Sequence, residues 1–226
     1  MLGSLSPMAT TLMVYYSMDE LAREYVISFY DRTLRFFGDR PESLRWTPEG
    51  QRARYELMLD MAKGIEGRKI LDFGCGKGDF YQFLKDKGIE THYTGFDINE
   101  NLIALARQKF PEARFEVFDI ERDTMSGEFD YIFLCGVFNL KVQGIDELIQ
   151  GTLKKLFPCC RIGLAFNGLS AHAPQKAVEL HYTSPEALFG FALDNLSPFV
   201  VMRHDRIPYD FTMFVYRDLT SNPSLR

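Results

Sequence analysis

The sequence predicts an α/β fold: a doubly wound, seven-stranded, mostly parallel sheet closed by an antiparallel C-terminal hairpin, with helices ahead of it. Three observations carry this expectation. From about residue 67 onward, short apolar runs alternate with amphipathic stretches in strand–helix order. The first of those runs enters a glycine-rich turn that opens a helix. The last two runs are separated by a loop too short for a parallel crossover, so they must pair antiparallel. A chain of 226 residues, 46% hydrophobic and 25% charged, suits one such domain with a sizeable core.

Taken in order, residues 1–13 read as a loose leader containing Gly3, Ser4, Ser6 and Pro7. Over 17–37 the apolar positions Leu21, Tyr25, Ile27, Phe29 and Leu34 predict a helix, with Asp19 and Glu20 favourable in its first turn. Residues 38–48 hold two prolines and read as a loop around Trp46; a second helix follows to about 62. Strands are predicted at 69–73, 92–96, 114–118, 131–134 and 160–166, with helices at 79–87, 100–110 and 145–157 between them. A last helix at 184–196 is capped by Ser184 with Pro185 at its first position. The runs 199–203 and 212–216 form the hairpin. The segments fall into a leader and helical part (1–66), a sheet domain (67–217) and a tail (218–226).

Composition narrows the function. The net charge is -5 with no basic run, whereas nucleic-acid binders carry a positive stripe against phosphate, so nucleic acid is not an expected partner. No apolar run reaches the roughly 20 residues that cross a bilayer, and the start shows no signal-peptide pattern; a cytoplasmic, membrane-free protein is expected. The four cysteines lack CxxC spacing and are expected to be free thiols, with no metal site. Twenty Phe and eleven Tyr leave rings available to line a pocket.

The informative stretch is Leu71-Asp72-Phe73-Gly74-Cys75-Gly76-Lys77-Gly78-Asp79-Phe80. Its glycines allow a sharp turn and close approach of the backbone to a ligand. The spacing is GxGxG rather than the GxGxxG of dinucleotide sites, where a helix N-terminus faces pyrophosphate. Asp72 and Asp79 flank the loop and would repel a pyrophosphate; they suit a cofactor with a cationic centre and an ammonium group. Asp97 ends the next strand within Gly95-Phe96-Asp97-Ile98, placed to accept both hydroxyls of a ribose. Phe118-Asp119-Ile120 follows the third strand, placed to bond an adenine amine and cover its ring. The fourth run, 129–136, ends in Cys135-Gly136 and reaches the substrate side of the sheet.

At these residues the chain resembles the class I S-adenosylmethionine-dependent methyltransferases, over about residues 67–217. The resemblance implies S-adenosyl-L-methionine as cofactor. It places the methionine part on Gly74, Cys75, Gly76 and Gly78, with Asp72 near the amino group. Asp97 with Ile98 would hold the ribose, and Asp119 with Ile120 the adenine. It further implies that the N-terminal helices close as a lid that carries substrate selectivity, with Tyr15, Tyr16, Tyr25 and Tyr30 available for its inner face.

Substrate-side candidates follow from position. Phe138 is placed to pack its ring on a sulfonium, and Asn139 to hydrogen-bond the substrate or the cofactor's amino group; a core aromatic and a turn residue are the plainer alternatives. The pairs His181-Tyr182 and His204-Asp205 each offer a base and a partner, which makes Tyr182 and Asp205 catalytic candidates beside Asn139. Arg54 either meets the cofactor's carboxylate or lies on a solvated helix face. The leading expectation is methyl transfer to a small-molecule acceptor. The alternative in the same site is cyclisation of the cofactor to azetidine-2-carboxylate and methylthioadenosine; a non-catalytic cofactor-binding protein is the third reading.

Overall fold

In the computed structural model, residues 18–218 are described; Tyr15 and Tyr16 lie outside them. Helix α1 (Glu20–Phe37) is followed by a 3-10 turn (Pro41–Leu44) and helix α2 (Pro48–Met61). The alternating part then runs β1 (Lys69–Phe73), α3 (Asp79–Asp86), β2 (His92–Asp97), α4 (Glu100–Lys109), β3 (Arg114–Val117), β4 (Phe129–Cys135), α5 (Ile145–Leu156), β5 (Cys160–Leu169), α6 (Pro185–Asn195), β6 (Val200–Arg203) and β7 (Asp210–Tyr216).

The seven strands form one sheet in the order β3-β2-β1-β4-β5-β7-β6. β1 through β5 run parallel, and β7 pairs antiparallel with both β5 and β6. β1 lies between β2 and β4, so chain order reverses there and the strand ends part. A crevice at that switch point is where this architecture places ligands. The strands are buried on both faces, as a helix-covered parallel sheet requires. One face packs Phe80, Phe83, Leu84 and Ile103 against Ile70 and Phe133; the other packs Ile149, Leu153 and Leu156 against Leu71, Ile132 and Leu134. Each such fully buried apolar side chain contributes about 1.5–3 kcal/mol.

Several boundaries differ from the expectations for local reasons. Asp19 is the N-cap of α1, not a first-turn residue: its side chain accepts from the Ala22 backbone N–H at 2.7 Å. The expected loop 38–48 contains a 3-10 turn, opened by Pro41 and ended by Arg45 in the left-handed region at φ 64°. β5 continues to Leu169 because β7 begins at Asp210 and pairs with it along its length. No residue of α1 is buried, so this helix is held to the domain by its polar contacts and by the cleft it covers.

Candidate functional site

A cleft opens at the carboxyl ends of β1, β2 and β4, where this architecture places its ligands. Its floor is the loop after β1, with Asp72, Gly74, Cys75 and Gly76; Asp97, Ile98 and Asn99 line the next strand end. Phe96, Leu102 and Phe118 wall the far end, and Phe96 and Phe118 stack with centroids 4.5 Å apart. Val26, Ile27 and Tyr30 of α1, Leu44 of the 3-10 turn, and Trp46 form its roof.

Gly76 shows why the loop needs glycine. It sits at φ +56°, and a Cβ there would stand 3.0 Å from Leu44 in the roof. Its backbone N–H donates to Asp97 Oδ2 at 2.8 Å, while Asp97 Oδ1 accepts from the Asn99 N–H at 2.9 Å. Each Asp97 oxygen thus has one backbone donor and keeps lone pairs for a ligand. Burial pushes the Asp97 pKa up, against those backbone bonds. Asp72 is buried and accepts from the Tyr93 hydroxyl at 2.5 Å. Burial raises its pKa to about 7; the Tyr93 bond opposes this, and the charges of Asp97 and Asp79 add to it. Two carboxylates so placed gain when a cation enters between them. An apolar slot with a diol acceptor at one point and an anion at another has the acceptors that an adenosine with an ammonium tail requires.

A second cavity adjoins the first. Tyr30, Leu44, Trp46 and Gly136 line both. Gly136 is the neck: at φ +68°, a Cβ would lie 2.2 Å from the Trp46 ring, so only glycine fits beneath that indole. The remaining wall includes Phe29, Arg45, Arg54, Asn139, Leu169 and Leu180.

Asp72, Gly74, Cys75, Gly76, Asp97, Ile98 and Cys135 all line the cleft, and Asn139 lines the second cavity. Burial pushes both the Cys75 and Cys135 thiols up, so they stay protonated. Other residues stand elsewhere than the sequence led one to expect. Gly78 does not line the cleft; it caps α3 at φ 81° and lies close against Phe110 and Phe115. Asp119 is not in the cleft lining: it accepts from Arg23 Nε at 2.8 Å and from the Glu121 backbone N–H at 3.0 Å. Ile120 is core, packed with residues of the α5 face. Arg54 is neither at the cleft nor solvated; it pairs with buried Asp210 at 2.6 Å and its guanidinium lies 4.4 Å over Trp46. Asp79 is committed to Lys77 and Gln51, at 2.6 and 2.9 Å.

Three substrate-side candidates are displaced as well. Phe138 is half-buried and stacks on Phe166 at 6.2 Å, part of the core rather than of the cleft. Tyr182 lies in a separate pocket with Asp146 and Ser184, its hydroxyl accepting from the Ala177 N–H at 3.0 Å. Asp205 is on the surface, held by Arg203 through two bonds of 2.9 Å, and His204 faces Ser170 instead of it. Phe138 is taken by the core, and for Tyr182 and Asp205 a loop and a hairpin direct the side chain elsewhere, which sequence adjacency does not encode. Conversely, Val26, Ile27, Leu44, Asn99 and Leu102 line the cleft without having been singled out. Only Asn99 carried a signal, as the N-cap of α4 that accepts from the Leu102 N–H.

The family model described as "Methyltransferase domain" matches residues 70–158. Over 152 residues the chain is 32% identical to "Putative methyltransferase Rv1506c" of Mycobacterium tuberculosis, covering 65% of this chain and 91% of that protein. It is 35% identical over 77 residues to trans-aconitate 2-methyltransferase of Delftia acidovorans, covering 34% of this chain and only 28% of that enzyme. Among solved structures, magnesium protoporphyrin IX methyltransferase (ChlM) from Synechocystis PCC 6803 with bound SAM shares the fold. Its TM-score is 0.64 at 17% identity, over 89% of this chain and 99% of that one. The chain belongs to the class I S-adenosylmethionine-dependent methyltransferases. It is accordingly an enzyme, and S-adenosylmethionine is its methyl donor.

Proposed function

We propose that this enzyme methylates a small-molecule acceptor held in the second cavity, with the cofactor in the cleft. The observation that carries the reading is the neck: the two cavities meet under Trp46 at Gly136, so a donor in one and an acceptor in the other face each other. When bound, S-adenosylmethionine supplies an electrophilic methyl group on a sulfonium.

The protein's own residues bind and align. Asp97 accepts the two ribose hydroxyls with the lone pairs its backbone donors leave free. Phe118, Ile98, Leu102 and Val26 give the adenine an apolar slot. Asp72 receives the ammonium group, whose charge restores its ionisation. Residues 18–48 act as the lid: Val26, Ile27 and Tyr30 cover the cleft and Leu44 and Trp46 close it beside the loop. Polar latches hold the lid down, among them Arg23 on Asp119 at 2.8 Å, Asn99 on Asp31 at 2.9 Å and Lys77 on Asp39 at 3.1 Å. Closure excludes water and aligns the reactants, which is where most of the rate enhancement of a displacement reaction arises.

The second cavity, walled largely by apolar side chains, favours a metabolite over a macromolecule, as does the net charge of -5 over nucleic acid. The relatives named for trans-aconitate and magnesium protoporphyrin IX act on small molecules, in keeping with this. Incubating the purified enzyme with S-adenosylmethionine, with and without a small-molecule extract, tests the proposal. S-adenosylhomocysteine formed only with extract supports it. Methylthioadenosine formed without any acceptor would replace it with cofactor cyclisation.

A further inference from the structure

The second cavity has a chemical character that the methyl-transfer reading does not specify. Most of its wall is apolar, from Phe29, Leu44, Trp46, Leu169 and Leu180. Among the described residues, no Asp, Glu, His, Lys or Cys side chain lines it. The nearest histidine by chain, His181, donates its backbone N–H to the Asn139 carbonyl but directs its ring to Asp146 at 3.1 Å. Tyr30 is a phenol whose pKa burial pushes up to about 12, with Asp97 adding to the rise, so it donates a hydrogen bond and does not remove a proton.

Two guanidiniums stand at the wall, and they are not equivalent. Arg54 is 11% exposed and its charge is answered by buried Asp210 at 2.6 Å. Arg45 pairs instead with Glu179 at 2.5 Å, where the two side chains are 42% and 37% exposed. Such a solvated pair is weak and exchanges readily. Arg45 also holds a left-handed backbone at φ 64°, one of two non-glycine residues to do so among those described. A long side chain kept in that region is locally unfavourable and points to a role for the position. Glu179 Oε1 meets Arg45 through Nη2 alone, and a guanidinium can take an oxyanion through two N–H groups at once, as a planar fork.

A cavity with an exchangeable guanidinium and no base suits a nucleophile that is already an anion at neutral pH. We propose that the acceptor is a carboxylic acid with an apolar body, that its carboxylate takes the place of Glu179 on Arg45, and that the product is its methyl ester. The proposal rests on the methyl-transfer reading and deepens it. In the step, a carboxylate oxygen attacks the methyl carbon; the C–O bond forms as the C–S bond breaks. The C–S electron pair stays on sulfur, leaving neutral S-adenosylhomocysteine, and no proton is transferred.

The test supplies S-adenosylmethionine carrying a radiolabelled methyl group to the full-length enzyme. The acceptors are a small-molecule extract and, separately, octanoate and phenylacetate beside the matching alcohols and amines. Methyl esters release labelled methanol under mild base. The expected result is a base-labile label formed only with acids. For the acid so identified, Arg45→Asn should raise KM at least tenfold, leave affinity for S-adenosylhomocysteine unchanged, and be partly rescued by Arg45→Lys. Asparagine tolerates the left-handed backbone better than arginine, so this variant keeps its fold. A base-stable label overturns the carboxylate proposal while leaving methyl transfer intact. No labelled product from any acceptor overturns both. A KM indifferent to Arg45→Asn removes Arg45 as the anchor.

Discussion

The cleft at the strand ends and the second cavity beside it share four residues and are built by different means. The cleft is made by strand ends and the turns directly after them: Asp72 to Gly76 follows from β1, and Asp97 to Asn99 from β2. Its carboxylates are fixed by nearby donors, Asp97 by the N–H groups of Gly76 and Asn99 and Asp72 by the Tyr93 hydroxyl. The second cavity is assembled from α1, the 3-10 turn, α2 and the loops after β4 and β5, with side-chain pairs spanning long stretches of chain. Arg45 reaches Glu179 and Arg54 reaches Asp210, 134 and 156 residues away. One site is dictated by the sheet; the other is brought together by whatever packs above it. The proposed function puts the methyl donor in the first and the acceptor in the second.

Variants that separate the two regions should therefore separate cofactor affinity from acceptor handling. The largest effect is expected of Gly76→Val. Its branched side chain meets Leu44 and cannot hold φ +56° without strain. Calorimetry should find binding of S-adenosylhomocysteine lost while circular dichroism shows the sheet formed. Retained binding would mean that the loop does not carry the ligand.

Asp97→Ala should weaken S-adenosylhomocysteine by at least about tenfold, or ~1.4 kcal/mol, since two hydroxyls lose a charged acceptor. The same titration checks it, and an unchanged affinity in a folded variant would place the ribose elsewhere.

A smaller, pH-dependent effect falls on Asp72. Its folded-state pKa is raised from 3.8 to about 7, so between those values the folded, ligand-free protein holds a proton that the unfolded chain has released. Stability from this group is complete below the lower value and is lost as pH rises through the upper one. Thermal melts without ligand should show this slope between about pH 4 and 8, and Asp72→Asn should flatten it. Affinity for the ammonium-bearing ligand runs the other way, rising as Asp72 ionises. Matching slopes in wild type and Asp72→Asn would assign the titration to another group.

The same division governs what the sequence makes legible. The strand–helix alternation and the cleft's carboxylates follow from local signals, a strand feeding a glycine turn and an acidic residue ending the next strand. Asp119 was misplaced because its spacing after β3 is right but its side chain is claimed by Arg23, 96 residues away. Arg54 was misplaced for the same kind of reason: its partner Asp210 lies on the last strand. Tyr182 and Asp205 looked catalytic only beside their histidines in sequence, and local turns direct them to other surfaces. The roof residues Val26, Ile27 and Leu44 carry no chemical signature; only the folded chain brings them over the loop.

Trp46 offers the most direct measurement of the central claim, that cofactor and acceptor meet at a neck between two cavities. It is the only tryptophan of the chain, lines both cavities and stands over Gly136. Titrating the enzyme with S-adenosylhomocysteine while recording tryptophan emission should give a saturable change. Its midpoint should equal the calorimetric Kd and move with Asp97→Ala. Emission unaltered at ligand concentrations that calorimetry shows to be saturating would contradict the account, because the ligand would then be bound away from the neck.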